Sequence, residues 1–447
     1  MKTNEYYHLL RRAGFGASLE NTNVKNISRK QAVNQLFSQH SKNIPLTIDY
    51  PKINAGQLRN MTATQRKELQ KLNRDKLIEY NIAWLSRMAE TSNYFLERMV
   101  YFWSGLFIVS SKNIRFTEQY HNTIRQNALG NFNDLLNAIA KEASMLNYLD
   151  NNKNKKQSPN ENFARELMEL FTLGRDVLYT EEDVKEAARA FTGWRFNAEG
   201  KFIEAKRQHD EGQKVFLGHR GNFNGDDIIR IILEQKECAQ YICSRIYQHF
   251  VNDNIDEQHV NELASVFYPS YNITEVMQHL FTASWFYNNE NCLSKIKSPI
   301  ELMVGLNRLI PFTINNPKSL LAMQKIMGQV LLQAPNVAGW PGGREWIDSN
   351  TLMFRLRLPS LLFNGGQIET ESTMEENEMM RQRRKNYLKA SVRWDELNQS
   401  LLRLDVDILH YLTIGKQPDD QTREIVRDTE KQNYLLKLIS LPEYQMC

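Results

Sequence analysis

The sequence predicts a mainly α protein: a large irregular multi-helix domain with one small β-hairpin insert. Three observations lead there. Apolar residues recur near a 3.6-residue period through most of the chain. Several of these runs open on Ser or Thr with a polar partner three residues on, as in Ser28–Gln31 and Thr180–Asp183. Strand-like alternation is confined to Trp194–Gly218.

Taken in order, residues 4–12 form a first helix ended by Gly14-Phe15-Gly16, and Ser28 with Gln31 caps a helix over Arg29–Gln39 behind an Ile27 staple. Residues 41–60 carry Pro45, Pro51 and Gly56 and read as a surface loop. Thr64–Glu90 is charged early and apolar late, so it runs from solvent into the core; Asn93–Ile108 follows. Helices over 114–129 and 131–148 meet at Gly130. NNKNKKQSP at Asn151–Pro159 is a hydrophilic loop, read either as a solvated turn or as a cationic lid.

Asn160–Gly193 is the stretch around which the chain is organised. On a helix, Phe163, Ala164, Leu167, Met168, Leu170 and Phe171 share one face, while Glu161, Asn162, Arg165, Glu166, Glu169 and Thr172 share the other. Gly174 closes this helix. Thr180 with Asp183 caps the next, whose apolar face is Val184, Ala187, Ala188 and Phe191. A hairpin turns at Glu199-Gly200, with Lys214–Gly218 a third short strand. Helices resume from Asp226. The organisation expected is one helical domain over 1–364 with its β insert at 194–220, a charged linker at 365–386 and a helical tail at 387–447.

Composition excludes several classes. With 41% hydrophobic and 24% charged residues, the 447-residue chain has the balance of an ordinary globular protein. Its 56 basic and 52 acidic residues leave a charge of only +4, too even for a dedicated nucleic-acid binder. Cys238, Cys243, Cys292 and Cys447 form no CxxC pair, which argues for reduced, buried thiols. The apolar run around Met99–Ser110 is too short for a membrane span. The N-terminal MKTNEYYHLLRRAGFG lacks the apolar core of a signal peptide. A cytoplasmic location is expected, with co-export beside a partner left open. No GxGxxG or P-loop motif is present.

Three places can carry chemistry. Glu161, Arg165 and Glu169 are spaced i, i+4, i+8, with Asn162 and Glu166 in a second row. This is either a solvated salt-bridged face or the floor of a cleft whose carboxylates work as acid and base or take a divalent cation. His209 and Asp210 form an adjacent pair, able to ligate a metal or to act as an oriented base, or else an Asx-type loop cap. Trp340, in Gly339-Trp340-Pro341-Gly342-Gly343, offers a stacking surface or pins a turn. Trp194, Arg195, Asn350 and Arg355 are expected to border the same space as substrate-binding residues. Glu161, Asn162, Arg165, Glu166, Glu169, His209 and Asp210 are the expected catalytic set, with metal identity open.

HLLRRAGFG (His8–Gly16), RQNALGNFNDLL (Arg125–Leu136), SMLNYLDNN (Ser144–Asn152), NENFARELMEL (Asn160–Leu170), HDEGQKVFLG (His209–Gly218), IKSPIELMVGLNRL (Ile296–Leu309) and PNVAGWPGGREWIDSNTLMFR (Pro335–Arg355) occur in this order. In these motifs the chain resembles the bacterial family known as domain of unknown function eighteen hundred, over roughly residues 5–360. The resemblance implies no established activity. It does imply that Glu161, Asn162, Arg165, Glu166 and Glu169 belong to an identifying motif, which favours the cleft. Relatives carry a Trp followed by paired histidines where this chain reads FWSGLF, so Ser104 and Leu106 replace them and a site built on them is lost or rewired. Members are commonly encoded beside a second family, number fifteen hundred and one, resembling sulfatase and phosphatase-type hydrolases. Two functions therefore stand: an acid/base or cation-assisted enzyme on a polar glycan or peptide substrate, or a non-catalytic partner, chaperone or maturation factor for the co-encoded hydrolase.

Overall fold

A computed structural model describes residues 1–447 except 21–26, 39–42, 176, 315, 365, 369–385, 389, 419, 421–423 and 425–429, with no side chains at 366–368 and 386–388. Most of the expected linker therefore lies outside the described residues.

Local chemistry sets the helix boundaries. Helix α1 (Thr3–Ala13) ends at Gly14, where a Cβ would lie 2.9 Å from the Tyr94 ring and 3.0 Å from the Leu10 carbonyl oxygen. Before α2 (Arg29–Ser38), the Gln31 amide donates to Ser28 Oγ at 3.2 Å and the Ser28 amide to Gln31 Oε1 at 2.9 Å. The expected loop at 41–60 contains a short helix, α3 (Ala55–Arg59), because Asn54 and Gln57 supply an unnoticed capping box. Helix α4 (Ala63–Glu90) buries Tyr80, Trp84 and Met88 only in its second half, following its charge pattern. Helix α5 (Tyr94–Leu106) is buried along almost its whole length, Glu97 and Arg98 included. Helix α6 (Ile114–Asn127) packs against it, and α7 (Phe132–Ala140) and α8 (Ala143–Tyr148) pack on α6, with Trp103 and Phe132 ring centroids 5.6 Å apart.

The central stretch departs from a regular helix. Helix α9 (Asn162–Glu166) widens into a π-helical turn over Leu167–Thr172 before α10 (Glu181–Ala190). The Leu173 amide reaches back five residues to the Met168 carbonyl at 2.8 Å, and Thr172 Oγ1 donates to the Leu167 carbonyl at 2.6 Å. The wider turn rotates Thr172 inward, so a residue expected on the polar face is fully buried. The loop before α9 is also more structural than its composition predicts. Asn151 and Asn154 are fully buried, and the Asn154 carbonyl accepts from the Gly193 amide at 3.1 Å. Its three lysines stay exposed.

The insert is two antiparallel hairpins. Strands β1 (Trp194–Phe196) and β2 (Phe202–Glu204) pair Arg195 with Ile203; β3 (Lys214–Phe216) and β4 (His219–Gly221) pair Val215 with Arg220. The sheet content is not confined to it. β5 (Phe312–Ile314) pairs with β8 (Ala390–Val392), and β6 (Gly366–Ile368) with β7 (Asn386–Leu388). The β5–β8 pairing joins Ile314 to Ala390 and the β6–β7 pairing joins Ile368 to Asn386, so neither is a tight hairpin that alternation within a short window reveals.

Helices α11 (Gly225–Leu233), α12 (Lys236–Phe250), α13 (Glu257–Phe267) and α14 (Ile273–Thr282) form a further layer. Helix α15 (Pro299–Leu309) is capped by Ser298 and Glu301 with Pro299 in its first turn. After α16 (Lys318–Ile326) and α17 (Ser349–Phe363), the last helices are α18 (Trp394–Leu402), α19 (Val406–Thr413) and α20 (Lys431–Ile439). One hydrophobic cluster runs from Tyr7 through Phe163 and Ile300 to Leu435 and Tyr444, so the C-terminal helices share the core of the rest. No helix among the described residues is long and apolar enough to cross a membrane. The protein is mainly α with small two-stranded inserts.

Candidate functional site

Helices α9 and α10 run antiparallel. Arg165, near the end of α9, reaches Glu181 at the start of α10, while Asn154 links the Asn160 amide (2.9 Å) to the Ala188 carbonyl (2.8 Å). The charged face faces outward. Arg165 lies 3.0 Å from Glu161 and 3.7 Å from Glu169, as the four-residue spacing predicts, and forms two 2.8 Å bonds to Glu181 across the turn. Its hydrogen bonds to Glu181 hold the guanidinium firmly protonated and the Glu181 carboxyl below its usual range. Arg175 takes the other oxygen of Glu169 at 3.3 Å. Asn162 begins α9 with its amide bonded to Asn160 Oδ1 at 3.0 Å. Glu166 differs from its neighbours: no ion pair among the described residues engages it, and partial burial, then Glu169, raise its carboxyl pKa.

His209 and Asp210 close a clasp over the other end of α10. Asp210 takes Arg189 Nε at 2.8 Å and Nη2 at 3.3 Å, and accepts the Gly212 amide at 2.8 Å. Arg189 chiefly, and that amide, hold its carboxyl below the usual range. His209 Nδ1 lies 2.9 Å from the Thr192 carbonyl, so it is the protonated nitrogen. The Asp210 amide donates to Thr192 Oγ1 at 2.8 Å. Gly193, at φ +82°, admits this approach: a Cβ there would meet the Ala205 carbonyl oxygen at 2.8 Å. Lys214, fully buried, donates to the Asp210 and Gly212 carbonyls. Farther along, Glu186 and Asp183 accept the Val215 and Leu217 amides, laying β3 against α10. Among the described residues, no group of three or more His, Cys, Asp or Glu is disposed to hold a metal ion.

The expected border residues divide between separate places. Trp194 is 2% exposed between Phe191 and Phe202, and Arg195 bonds Gln208 at 3.2 Å, so both stay with the His209 loop. Trp340 lies instead against α5 and α6, on a cavity shared with Ser104 and His121. Asn350 is exposed in the first turn of α17, its amide capped by Asp348. Arg355 is fully buried on the α17 face that carries Leu358 and Leu362, so it turns into the core. There it donates to the Lys297 carbonyl and to Gln445 Oε1. The single expected cleft is therefore replaced by the α9–α10 surface on one side and interior sites on the other.

A buried cationic network went unnoticed in the sequence. Arg12 donates to the Asn291 carbonyl and Ser294 Oγ, both at 3.0 Å, and Lys297 to the Tyr444 carbonyl at 2.6 Å. Arg98 pairs with Glu301 at 2.5 Å. Burial pushes the Lys297 ammonium down to about 7. Burial opposes ionisation of Glu301, but Arg98 and the Ser298 amide hydrogen bond help to lower its carboxyl pKa below the usual range all the same. The available signal was a set of charges inside apolar helical runs: Arg12 in HLLRRAGFG, Glu301 in SPIELM and Arg98 in FLERMV.

Arg12, Lys297, Glu301 and the α9 carboxylates lie in segments that carry the sequence resemblance, and a family model described as protein of unknown function DUF1800 matches residues 8–446. The chain belongs to the DUF1800 family. The match spans the C-terminal helices as well as the motif-bearing region. No curated protein matches the chain, and no solved structure does. Of the two positions at which the resemblance led to an expectation of histidine, Leu106 is 6% exposed in the core and Ser104 lines the Trp340 cavity.

Proposed function

We propose that this chain acts as a non-catalytic binding partner of another protein, with α9, α10 and the adjoining hairpin as its contact surface. One observation carries the reading. Val177 and Leu178, in the turn between the π-helical segment and α10, are 58% and 38% exposed, and the exposed charges Arg175, Glu181 and Glu182 flank them along the chain. Val215 on β3, which lies along α10, is a further exposed apolar side chain at 45%. An apolar centre inside a charged rim is the layout of a protein interface. The ion pairs around Arg165 and Arg189 support the same reading, since they hold the surface in a fixed shape. The partner fitting the family context is the co-encoded sulfatase- or phosphatase-type hydrolase.

The test is co-elution of the full-length chain with that hydrolase, followed by the double substitution Val177→Asp and Leu178→Asp. The expected result is a complex weakened at least tenfold, about 1.4 kcal/mol, with an unchanged melting temperature. Absence of a wild-type complex, or equal binding by the charged variant, would sink the reading. Glu166 favours a second reading, an acid/base enzyme, because it is a carboxylate of this face that has no ion pair among the described residues and its pKa is raised. Loss of pathway activity on Glu166→Gln, with the complex intact, would move the assignment to that enzyme.

A further inference from the structure

Away from the α9–α10 surface, the molecule encloses a cavity of about 30 Å³ between α5, α6 and the loop that carries Trp340. That is room for about two water molecules. Trp84, Phe107, Ile108, Leu331, Leu332 and Trp340 supply its apolar wall.

Most of the polar atoms in this wall are already committed. Tyr101 Oη bonds Ser298 Oγ at 3.0 Å and accepts from Gln329 at 2.7 Å; Tyr120 donates to the Phe107 carbonyl at 2.7 Å. Thr117 and Ser111 donate to the Asn113 carbonyl at 3.0 and 3.3 Å. Two buried polar atoms of this wall have no partner among the described residues: Ser104 Oγ and His121 Nε2. His121 is 1% exposed. An unpaired buried polar atom costs roughly 1–3 kcal/mol, so two beside one cavity point to something that pairs them.

The hydrogen-bond chain behind His121 assigns its tautomer. Glu97 holds Arg125 through bonds of 2.9 and 3.0 Å. Tyr80 is fully buried, and among the described residues its hydroxyl has one hydrogen-bond partner, His121 Nδ1 at 3.0 Å. The phenol proton therefore goes to Nδ1, since pointing it elsewhere would leave it buried and unpaired. Nδ1 being an acceptor, the ring's one proton sits on Nε2. Burial, then Arg125, keep the imidazole neutral. The cavity is thus offered an N–H donor from a neutral ring and a hydroxyl from Ser104, and no charged side chain lines it. An ionic ligand would enter without a counter-charge.

We propose that this cavity binds a small uncharged molecule whose carbonyl or hydroxyl oxygen is taken by His121 Nε2 and Ser104 Oγ, with its apolar end against Trp340. The half-buried Trp340 ring is the outer wall, and a ligand of acetamide size displaces it by a side-chain shift of the kind common at binding sites. The loop lies close here because Gly339 has φ +94°, where a Cβ would come within 3.4 Å of the Gly105 carbonyl oxygen. Gly105 itself lines the cavity, and a Cβ at its position meets no atom within 4 Å. A side chain there takes up ligand space without disturbing the packing.

The experiment is a titration of the full-length protein with acetamide, and separately with acetate, followed by the imidazole nitrogen resonances of His121 assigned with His121→Gln. Acetamide is expected to shift Nε2 saturably with a Kd of order 1 mM, as suits four heavy atoms, and acetate to leave it in place. Gly105→Val should weaken acetamide at least tenfold and Ser104→Ala severalfold, with melting temperatures close to wild type. An unmoved Nε2 resonance, equal shifts from acetate, or undiminished binding in Gly105→Val would each overturn the proposal and leave a cavity that holds water only.

Discussion

Replacing Glu97 by Gln removes the carboxylate that holds the buried Arg125 guanidinium. Glu97 and Arg125 are 2% and 1% exposed, and their two parallel bonds measure 2.9 and 3.0 Å. Glu97 also accepts the Trp84 indole N–H at 3.0 Å. Burial works against the charge on Arg125, but Glu97 foremost, with Tyr80, more than offsets it. Without Glu97 the guanidinium stays charged and unpaired in the core, which costs about 3–5 kcal/mol. An unfolding entropy of about 2.1 cal/mol/K per residue over 447 residues gives ~0.9 kcal/mol/K. The melting temperature should therefore fall by roughly 3–5 °C. Calorimetry on Glu97→Gln, Arg125→Met and the double variant measures this. The double variant should recover much of the loss, because it removes the orphaned charge along with its partner. Single variants costing less than about 1 kcal/mol, or a strictly additive double variant, would refute the reasoning.

Arg165→Ala should cost under about 1 kcal/mol in urea unfolding, since its side chain is 29% exposed, Glu161 and Glu181 are wet at 39% and 71%, and Glu169, at 14%, keeps Arg175; a loss above about 2 kcal/mol would mean that the face is a buried array. Lys297 has a folded pKa of about 7 against ~10.4 unfolded. A depressed pKa contributes stability that is present above the unfolded value and is lost as pH falls through the folded one. Wild type should therefore gain on Lys297→Met between about pH 7 and 10, by at most ~1.4 kcal/mol per pH unit, and a flat difference across that window would contradict the burial of Lys297. Cys238 and Cys243 are fully buried, and burial pushes the Cys238 thiol up to about 12; both should resist a thiol reagent in the native protein and react on unfolding, so rapid native labelling at either would place them wrongly.

Some of the candidate site was legible because it depends on neighbours along the chain. The α10 capping box is Thr180 and Asp183, three residues apart, and the contacts of Arg165 with Glu161 and Glu169 follow from a four-residue helical spacing. Val184, Ala187, Ala188 and Phe191 are all buried on the face that their period assigns. The mainly α class rests on the same short-range signals, because hydrophobic period and capping chemistry act within a few residues.

What reaches across the chain was decided by the tertiary structure. Glu181 completes the Arg165 array from the far side of a turn, and Thr192 latches His209 from seventeen residues away. Arg355 shared a motif with Trp340, yet its place on the inner face of α17 carries it into the core with Lys297 and Gln445. The π turn at Leu167–Thr172 buries a threonine that a 3.6-residue period sends to solvent. Glu97 and Arg125 lie on separate helices, and their charges survive in the interior only because α5 and α6 bring them within 3 Å. A local period selects the face of a helix that is buried; which buried polar groups meet depends on how distant helices pack, and in a low-dielectric core that meeting decides whether a charge stabilises the fold or disrupts it.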